Sequence, residues 1–157
     1  MPGLWISKIP LSRPYLLSKF CTQSRTVSTV ARMPITKHFT LPSSVKELAL
    51  SPDSKIFLAF ISSPDPITKQ PWCPDVRDAL PHINNAFSGD DAPELAIVEV
   101  GQKPEWINPR NVYRTTWGTN NIPALVRYEQ VNGKITETGR LVEAEILNKE
   151  KLREFIV

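Results

Sequence analysis

Apolar residues occur along this chain either in unbroken runs or at helical spacing. Residues 56–61 are apolar at every position, and residues 95–100 form a second run that only Glu99 interrupts. Strands that are buried on both faces, as in the centre of a parallel sheet, have this pattern. Between the two runs, one face of a helix is apolar, at Val76, Leu80, Ile83 and Phe87. The sequence therefore predicts two buried strands joined by a helix, which Pro81 is expected to kink.

Capping and turn residues predict the elements on either side. Residues 35–40 suit a short edge strand, and Ser43 or Ser44 is expected to cap a helix that runs to about residue 50. Residues 101–107 are interpreted as a connection. Asn108-Pro109 then begins a helix whose inward side chains are Val112, Tyr113, Thr116 and Trp117.

The last third of the chain predicts a hairpin and a helix. Asn132-Gly133 is a strong hairpin signal between strands at residues 122–131 and 134–141. A helix over residues 143–155 is expected to place Ala144, Leu147 and Leu152 against the sheet. The predicted order is β-α-β-α-β-α-β-β-α, which indicates an α/β fold with a central mixed sheet flanked by helices.

The amino-acid composition limits which kinds of protein this chain can be. The chain has 157 residues, of which 41% are hydrophobic and 22% are charged, and this suits one globular domain with a sizeable core. No apolar run approaches the ~20 residues that a membrane span needs, so no membrane partner is expected. Residues 47–157 carry twelve basic and sixteen acidic side chains. Residues 47–157 are thus mildly acidic, which gives no reason to expect a nucleic acid as partner. We also expect a monomer.

The first 33 residues differ from the rest because they contain basic residues but no Asp or Glu. This composition is typical of a mitochondrial transit peptide, although Pro10 and Pro14 would interrupt an amphipathic helix. The alternative is a disordered tail, or upstream sequence that is not used because translation begins at Met33. We therefore divide the chain into a basic segment, residues 1–33, and a folded domain, residues 34–157. The first interpretation predicts the mitochondrial matrix, and a start at Met33 predicts the cytosol.

Metal and disulfide chemistry receive no support from the residue counts. The two cysteines and two histidines, Cys21, Cys73, His38 and His82, do not have the spacing of a zinc site or of a disulfide framework. We therefore expect no metal and no bound cofactor. The low cysteine count also fits a reducing compartment.

Cys73 is the candidate reactive group, in the segment Trp72-Cys73-Pro74-Asp75-Val76. Pro74 suits the first position of the predicted helix, which makes Cys73 the N-cap. The sulfur is then expected to face unpaired N–H groups and the positive end of the helix dipole, which favour a thiolate. Trp72 would shield the sulfur, and Asp75 would either orient a substrate or act as a favourable acid in the first turn. The alternative for Cys73 is a small apolar residue of the core.

This segment resembles the active-site motif W-C-P-D-C of the thioredoxin-related Clot family, the small fourteen-kilodalton thioredoxin-related proteins. Residues 98–106, V-E-V-G-Q-K-P-E-W, are similar to that family's V-G-x-K-P-x-W segment, and Ile122-Pro123 matches its cis-proline position. The resemblance covers residues 35–155 and implies a thioredoxin-like fold.

The resemblance also implies a disulfide reductase that receives electrons from NADPH through thioredoxin reductase and acts on small disulfides. By the matching positions, Cys73 is the attacking thiol and Pro123 is the cis-proline beside it. Ile122 would offer backbone groups to an extended substrate.

Val76 departs from the family pattern, which has the resolving cysteine at this position. Without that thiol, Cys73 can form a mixed disulfide but cannot close an intramolecular bond. One hypothesis is therefore a monothiol oxidoreductase for small or glutathione-mixed disulfides, with glutathione as the resolving thiol and glutathionylated proteins among its partners. Thioredoxin reductase would lose the closed disulfide that it reduces. The other hypothesis is a non-catalytic binding module that uses the groove around Trp72, Ile122 and Pro123.

Overall fold

The structure is a computed structural model that describes residues 35–157. Its centre is a five-stranded sheet, whose strands are β1 (Ile35–Thr36), β2 (Lys55–Ile61), β3 (Glu94–Glu99), β4 (Ala124–Val131) and β5 (Lys134–Val142). The strands lie side by side in the order β1-β3-β2-β4-β5. β3 is parallel to β1 and β2, and β4 is antiparallel to β2 and β5. The predicted mixed sheet is confirmed.

Helices flank this sheet, so the thioredoxin-like α/β fold is confirmed as well. They are α1 (Pro74–Ala86), α2 (Lys103–Trp106), α3 (Val112–Thr115), α4 (Ala144–Leu147) and α5 (Lys149–Ile156). Helix α1 packs against α4 and α5. It continues through Pro81, which is exposed, so this proline does not end the helix.

The core lies where the sequence predicted it, on β2 and the inner face of α1. Phe57, Phe60, Val76, Ile83 and Phe87 are fully buried. The rings of Phe57 and Phe87 meet edge to face, with centroids 5.2 Å apart. Burial of such side chains contributes roughly 1.5–3 kcal/mol each, so this cluster fixes the position of α1 against the sheet.

The predicted hairpin is confirmed in its turn as well as in its strands. Asn132 and Gly133 join β4 to β5 with positive φ angles of 51° and 75°. A two-residue turn with positive φ at both positions matches the right-handed twist of the strands, and Asn-Gly tolerates these angles.

The helix predicted near residue 43 is wrong, because only a 3-10 turn, Val45–Glu47, forms there. The Ser44 side chain makes no capping hydrogen bond, and the Glu47 carboxylate instead accepts the N–H of Ser43 at 3.1 Å. Leu48 is already extended and its side chain is buried. The turn therefore ends before Leu48, whose backbone is extended and whose side chain packs into the core.

The region after β3 also differs from the prediction. The predicted connection at residues 101–107 contains α2, and at its start the Glu105 carboxylate accepts the backbone N–H of Gln102 at 2.6 Å. The next helix begins later than predicted, because Asn111 is its cap and accepts the N–H of Tyr113 at 2.9 Å. Trp117 is buried and Tyr113 is half-buried, whereas Val112 and Thr116 are exposed.

The single helix predicted for the end of the chain is two helices, α4 and α5, separated at Asn148. Asn148 has an extended ψ of 108° and its side chain accepts the N–H of Lys151 at 3.0 Å. The break rotates the helical faces, so Ile146 is buried in place of the predicted Leu147 and Ala144. Leu152 is buried as predicted.

The basic segment at residues 1–33, which includes Cys21, lies outside the described residues, so the targeting hypothesis stays a prediction. Within residues 35–157, no helix is long and apolar enough to cross a membrane.

Candidate active site

The chain leaves the central strand β2 directly into the candidate site. Ser62 follows the last residue of β2, is fully buried, and accepts the backbone N–H of Cys73 on its Oγ at 3.1 Å. The N–H of Trp72 reaches the carbonyl oxygen of Ser63 at 3.4 Å. Two consecutive serines therefore fix the backbone of Trp72 and Cys73. Neither serine was predicted as a site residue, because a serine after an apolar run gives no signal until its partner is known.

Cys73 is the N-cap of α1 and Pro74 is its first residue, as predicted. The sulfur does not cap the helix, however, since the side chain makes no capping hydrogen bond. It lies 3.9 Å from the carbonyl oxygen of Ile122, within range of a weak S–H···O hydrogen bond. Only 8% of Cys73 is exposed. The expectation that the sulfur faces the N–H groups of the first turn is therefore wrong for this conformation.

One predicted groove residue, Ile122, contacts this sulfur through its backbone, and Pro123 follows it in the chain. The Ile122–Pro123 peptide bond is cis, and the Ile122 side chain is buried. The structure thus brings Cys73 together with Ile122, which lies 49 positions away in the sequence. The role of Ile122 and Pro123 as a substrate groove stays a prediction.

Trp72 connects the site to the segment after β3. Its indole Nε1–H donates to the carbonyl oxygen of Gly101 at 3.0 Å, and the N–H of Gly101 donates to Ser63 Oγ at 3.0 Å. Gly101 has a φ of 88°, a left-handed conformation that glycine adopts without strain. The adjacent Gln102 donates its side-chain amide to the carbonyl oxygen of Pro64 at 2.8 Å. The V-G-Q-K-P-E-W segment therefore supports the loop that carries Trp72.

The loop before the motif is a small hairpin of its own. Pro64 and Pro71 form an isolated antiparallel bridge. Inside it, Asp65 Oδ1 accepts the N–H groups of Thr68 and Ile67 at 2.8 and 2.9 Å. The hydrogen bond from Thr68, followed by that from Ile67, lowers the pKa of Asp65 below its usual value. This turn fixes the course of the chain into Trp72.

The remaining motif residues differ in exposure. Val76 is fully buried in the core, whereas Asp75 is exposed in the first turn of α1. Among residues 35–157, the Asp75 carboxylate makes no hydrogen bond or ion pair. This leaves both interpretations of Asp75 open, and it makes Val76 part of the apolar stripe. The same residues contain no cluster of ligands that could hold a metal ion.

Two shallow grooves, which differ in charge, are lined by residues that hydrogen-bond to Trp72. One encloses about 500 Å³ and includes Glu99 and Glu105, with Ser63 and Gly101 at the edge nearest Trp72. The other encloses about 530 Å³, begins at Gln70 and Pro71, and follows the outer side of α1. Arg77 is the charged residue of this second groove.

Comparison with known proteins agrees with the motif. Residues 35–156 match the family described as "Thioredoxin domain-containing protein 17-like, thioredoxin domain". The chain belongs to this family. The match includes every residue of the candidate site, from Ser62 to Pro123.

Individual members of the family show how similar the sequences are. A thioredoxin domain-containing protein of Schizosaccharomyces pombe is 40% identical over 101 residues, which are 64% of this chain and 82% of the relative. The thioredoxin-like protein Clot of Arabidopsis thaliana is 32% identical over 108 residues, 62% of this chain and 79% of that protein. The predicted membership in the thioredoxin-related Clot family is confirmed. Among solved structures, a Trichomonas vaginalis thioredoxin matches 80% of this chain and all of its own, with 17% identity and a TM-score of 0.46.

Proposed function

We propose that this chain is a monothiol thioredoxin-like thiol–disulfide oxidoreductase. The observation that carries the proposal is the placement of Cys73. It is the N-cap of a helix of 13 residues, lies beside the residue before the cis-proline, and has Val76 where the family motif has a second cysteine. A single thiol in this position can exchange with a disulfide, and it needs a second thiol from outside to be released.

The proposed reaction proceeds in two exchanges. The Cys73 thiolate attacks the glutathionyl sulfur of a mixed disulfide, the S–S bond breaks, and the substrate thiolate leaves and takes up a proton. A second glutathione thiolate then attacks the glutathionyl sulfur bound to Cys73 and displaces the Cys73 thiolate. The products are the reduced substrate thiol and oxidised glutathione, and the one free glutathione that is consumed gives up its thiol proton and contributes the electron pair of the new S–S bond.

The surroundings of the thiol support small or extended substrates. Because only 8% of Cys73 is exposed, we propose that substrates present their disulfide without a bulky carrier around it. Glutathionylated proteins present their disulfide on a flexible side chain, and small disulfides such as cystine present it without a bulky carrier. Within residues 35–157, Cys73 is a free thiol and thioredoxin reductase has no closed disulfide to reduce, so we propose glutathione as the electron donor.

A turnover assay tests the proposal. The full chain is mixed with glutathione and either cystine or a glutathionylated peptide, and the oxidised glutathione formed is coupled to NADPH oxidation by glutathione reductase. We expect turnover that depends on the protein concentration and that is absent in Cys73→Ser. No turnover above the uncatalysed exchange would overturn the proposal, provided that Cys73→Ser and the unsubstituted chain show the same circular dichroism.

A second function is a non-catalytic binding module that uses the groove around Trp72, Ile122 and Pro123. Two observations favour it: only 8% of Cys73 is exposed, and the hydrogen bond of its sulfur points to Ile122 rather than to the helix. In that case Cys73→Ser leaves binding of a partner unchanged, whereas a substitution in the groove, Ile122→Arg, abolishes it. Capture from extracts with the unsubstituted chain and both variants distinguishes the two functions.

A further inference from the structure

We infer that Arg77 binds a carboxylate of the thiol compound that reacts with Cys73, and so selects acidic thiols such as glutathione. This inference rests on the proposed function, because it assigns a specificity residue to the same thiol. Arg77 lies four positions after Cys73, which is one helical turn along α1.

The guanidinium is held at the backbone of the site. Arg77 Nη1 donates to the carbonyl oxygen of Pro71 at 2.8 Å and approaches that of Trp72 at 3.4 Å. The Trp72 carbonyl belongs to the peptide unit that ends in the N–H of Cys73, so the cation is adjacent to the residue that bears the thiol. An arginine fixed in this way loses little further side-chain freedom when it binds an anion.

The rest of the guanidinium is available to a ligand. Within residues 35–157, Arg77 has no ion pair, and neither Asp75 nor Asp78 pairs with it. Its Nε and Nη2 donate no hydrogen bond in the part of the chain that the structure describes. Two parallel N–H donors of one guanidinium can bind both oxygens of a carboxylate at once.

The groove beside Arg77 has the composition that an acidic peptide thiol requires. Its other polar residues are Gln70 and Asn84, whose side-chain amides are neutral donors, and its apolar residues are Pro71, Leu80 and Pro81. Among residues 35–157, no acidic side chain lines this groove. The groove that includes Ser63 and Gly101 has two acidic residues, Glu99 and Glu105, beside Arg110, and is less favourable to a carboxylate.

The length of a tripeptide thiol and the spacing of residues on the helix agree with this placement. An extended peptide advances about 3.3–3.6 Å per residue, so the two ends of a tripeptide thiol lie within roughly two residues of its sulfur. Side chains one helical turn apart have Cβ atoms about 5–6 Å apart. A glutathionyl group on Cys73 is therefore long enough to place one carboxylate at Arg77 once the sulfur turns away from the carbonyl oxygen of Ile122.

The test compares charged and neutral disulfides in a reaction that needs no turnover. The full chain carries Cys21→Ser, so that Cys73 is its single cysteine. We measure, by intact mass, the rate at which Cys73 forms an adduct with oxidised glutathione and with its ethyl tetraester. The variants are Arg77→Gln, Arg77→Lys and Arg153→Gln. Arg153→Gln removes the same charge from a separate groove, next to His82 and Lys149.

We expect Arg77→Gln to slow adduct formation with oxidised glutathione about fivefold and to leave the rate with the tetraester unchanged. Arg77→Lys should retain part of the preference, and Arg153→Gln all of it. Equal slowing of both reagents would overturn the inference, since it would show that Arg77 only supports the loop.

The outcomes separate the inference from the proposed function. Adducts that form without any preference for the charged reagent overturn the role of Arg77 and leave the oxidoreductase proposal standing. A preference that depends on Arg77, in a protein that fails the turnover assay, supports the anion site and overturns the oxidoreductase. No adduct with either reagent overturns both.

Discussion

The sulfur of Cys73 and the carbonyl oxygen of Ile122 lie 3.9 Å apart, although 49 positions separate the two residues in the sequence. The contact joins the N-terminus of α1 to the loop before β4, where the cis-proline lies. Hydrogen bonds hold both segments in place. The buried hydroxyl of Ser62 accepts the backbone N–H of Cys73, and the carbonyl oxygen of Pro123 accepts the N–H of Glu143 at 2.9 Å. The thiol therefore has a defined position relative to the cis-proline.

Val76→Cys should restore the chemistry of a dithiol. Position 76 is the third residue of α1 after the N-cap, and residues three apart on a helix lie close enough for a disulfide. We expect oxidation to close a disulfide between Cys73 and the introduced cysteine, and thioredoxin reductase with NADPH to open it. NADPH oxidation measures this reaction.

The buried position of Val76 makes a control necessary. Because this side chain is fully buried, loss of its methyl groups costs roughly 0.5–1.5 kcal/mol of stability for the cysteine variant. Val76→Ala introduces a cavity but no second thiol at position 76, and it should show no NADPH oxidation. A folded Val76→Cys protein that forms no intramolecular disulfide would show that the scaffold no longer fits the family chemistry.

Ser62→Ala should destabilise the fold and loosen the candidate site. The substitution leaves the buried N–H of Cys73 without its acceptor, and an unsatisfied buried donor costs about 1–3 kcal/mol. Urea unfolding measures the change. Ser88→Ala removes an exposed serine hydroxyl that donates to Asn85, and it should change stability by less than about 0.5 kcal/mol. Equal stability of the two variants would contradict the role of Ser62.

Gly139→Ala should destabilise the contact between β5 and α5. A Cβ atom at position 139 would lie 2.7 Å from Cε2 of Phe155. The ring of Phe155 cannot move freely, because it packs edge to face against Phe57 at 5.6 Å and under the Arg127 guanidinium at 5.4 Å. We expect a loss of about 1–3 kcal/mol in the free energy of unfolding.

Gly89→Ala is the matched control for this substitution. A Cβ atom at position 89 would meet nothing within 4 Å. The same change of residue should therefore be close to neutral there, within about 0.5 kcal/mol. If both glycine variants unfold at the same urea concentration, the close packing of Phe155 on Gly139 is wrong.

Stability at alkaline pH should depend on Tyr128. Burial, and then the charge of Glu137, raise the pKa of Tyr128 to about 12, while Arg140 lowers it. An unfolded tyrosine has a pKa of about 10. Folding therefore favours the neutral phenol, and this contribution is complete below about pH 10 and is lost as the pH rises through about 12.

Tyr128→Phe removes the group that titrates. The free energy of unfolding of the unsubstituted chain should fall more steeply between about pH 10 and pH 12 than that of Tyr128→Phe. Tyr113→Phe is the comparison, because burial also raises the pKa of Tyr113, which is only half-buried, and the effect should be smaller. Parallel pH profiles for the unsubstituted chain and Tyr128→Phe would contradict this prediction.

Local patterns predicted the parts of the fold that depend on one segment at a time. The run at residues 56–61 and the stripe from Val76 to Phe87 identify β2 and α1, because burial requires apolar residues at each period. Asn132-Gly133 identifies the hairpin through its backbone angles. The motif at Trp72 and Cys73 likewise predicted which thiol lies beside the cis-proline.

Other features depend on partners that are distant in the sequence. The hydroxyl of Ser62 matters because Cys73 returns to it, and Gly101 matters because the indole of Trp72 reaches its carbonyl oxygen. The direction of the Cys73 sulfur follows from the position of Ile122, which no local rule for helix caps includes. At Asn148, an internal cap divides a segment whose composition suits one continuous helix.

The most direct test of the monothiol account is the release of glutathione from Cys73. The full chain carrying Cys21→Ser is glutathionylated at Cys73 and is then exposed separately to glutathione and to thioredoxin reductase with NADPH. The account predicts that glutathione restores the mass of the free thiol and that the reductase does not. An adduct that persists in glutathione, or that the reductase alone removes, would contradict it.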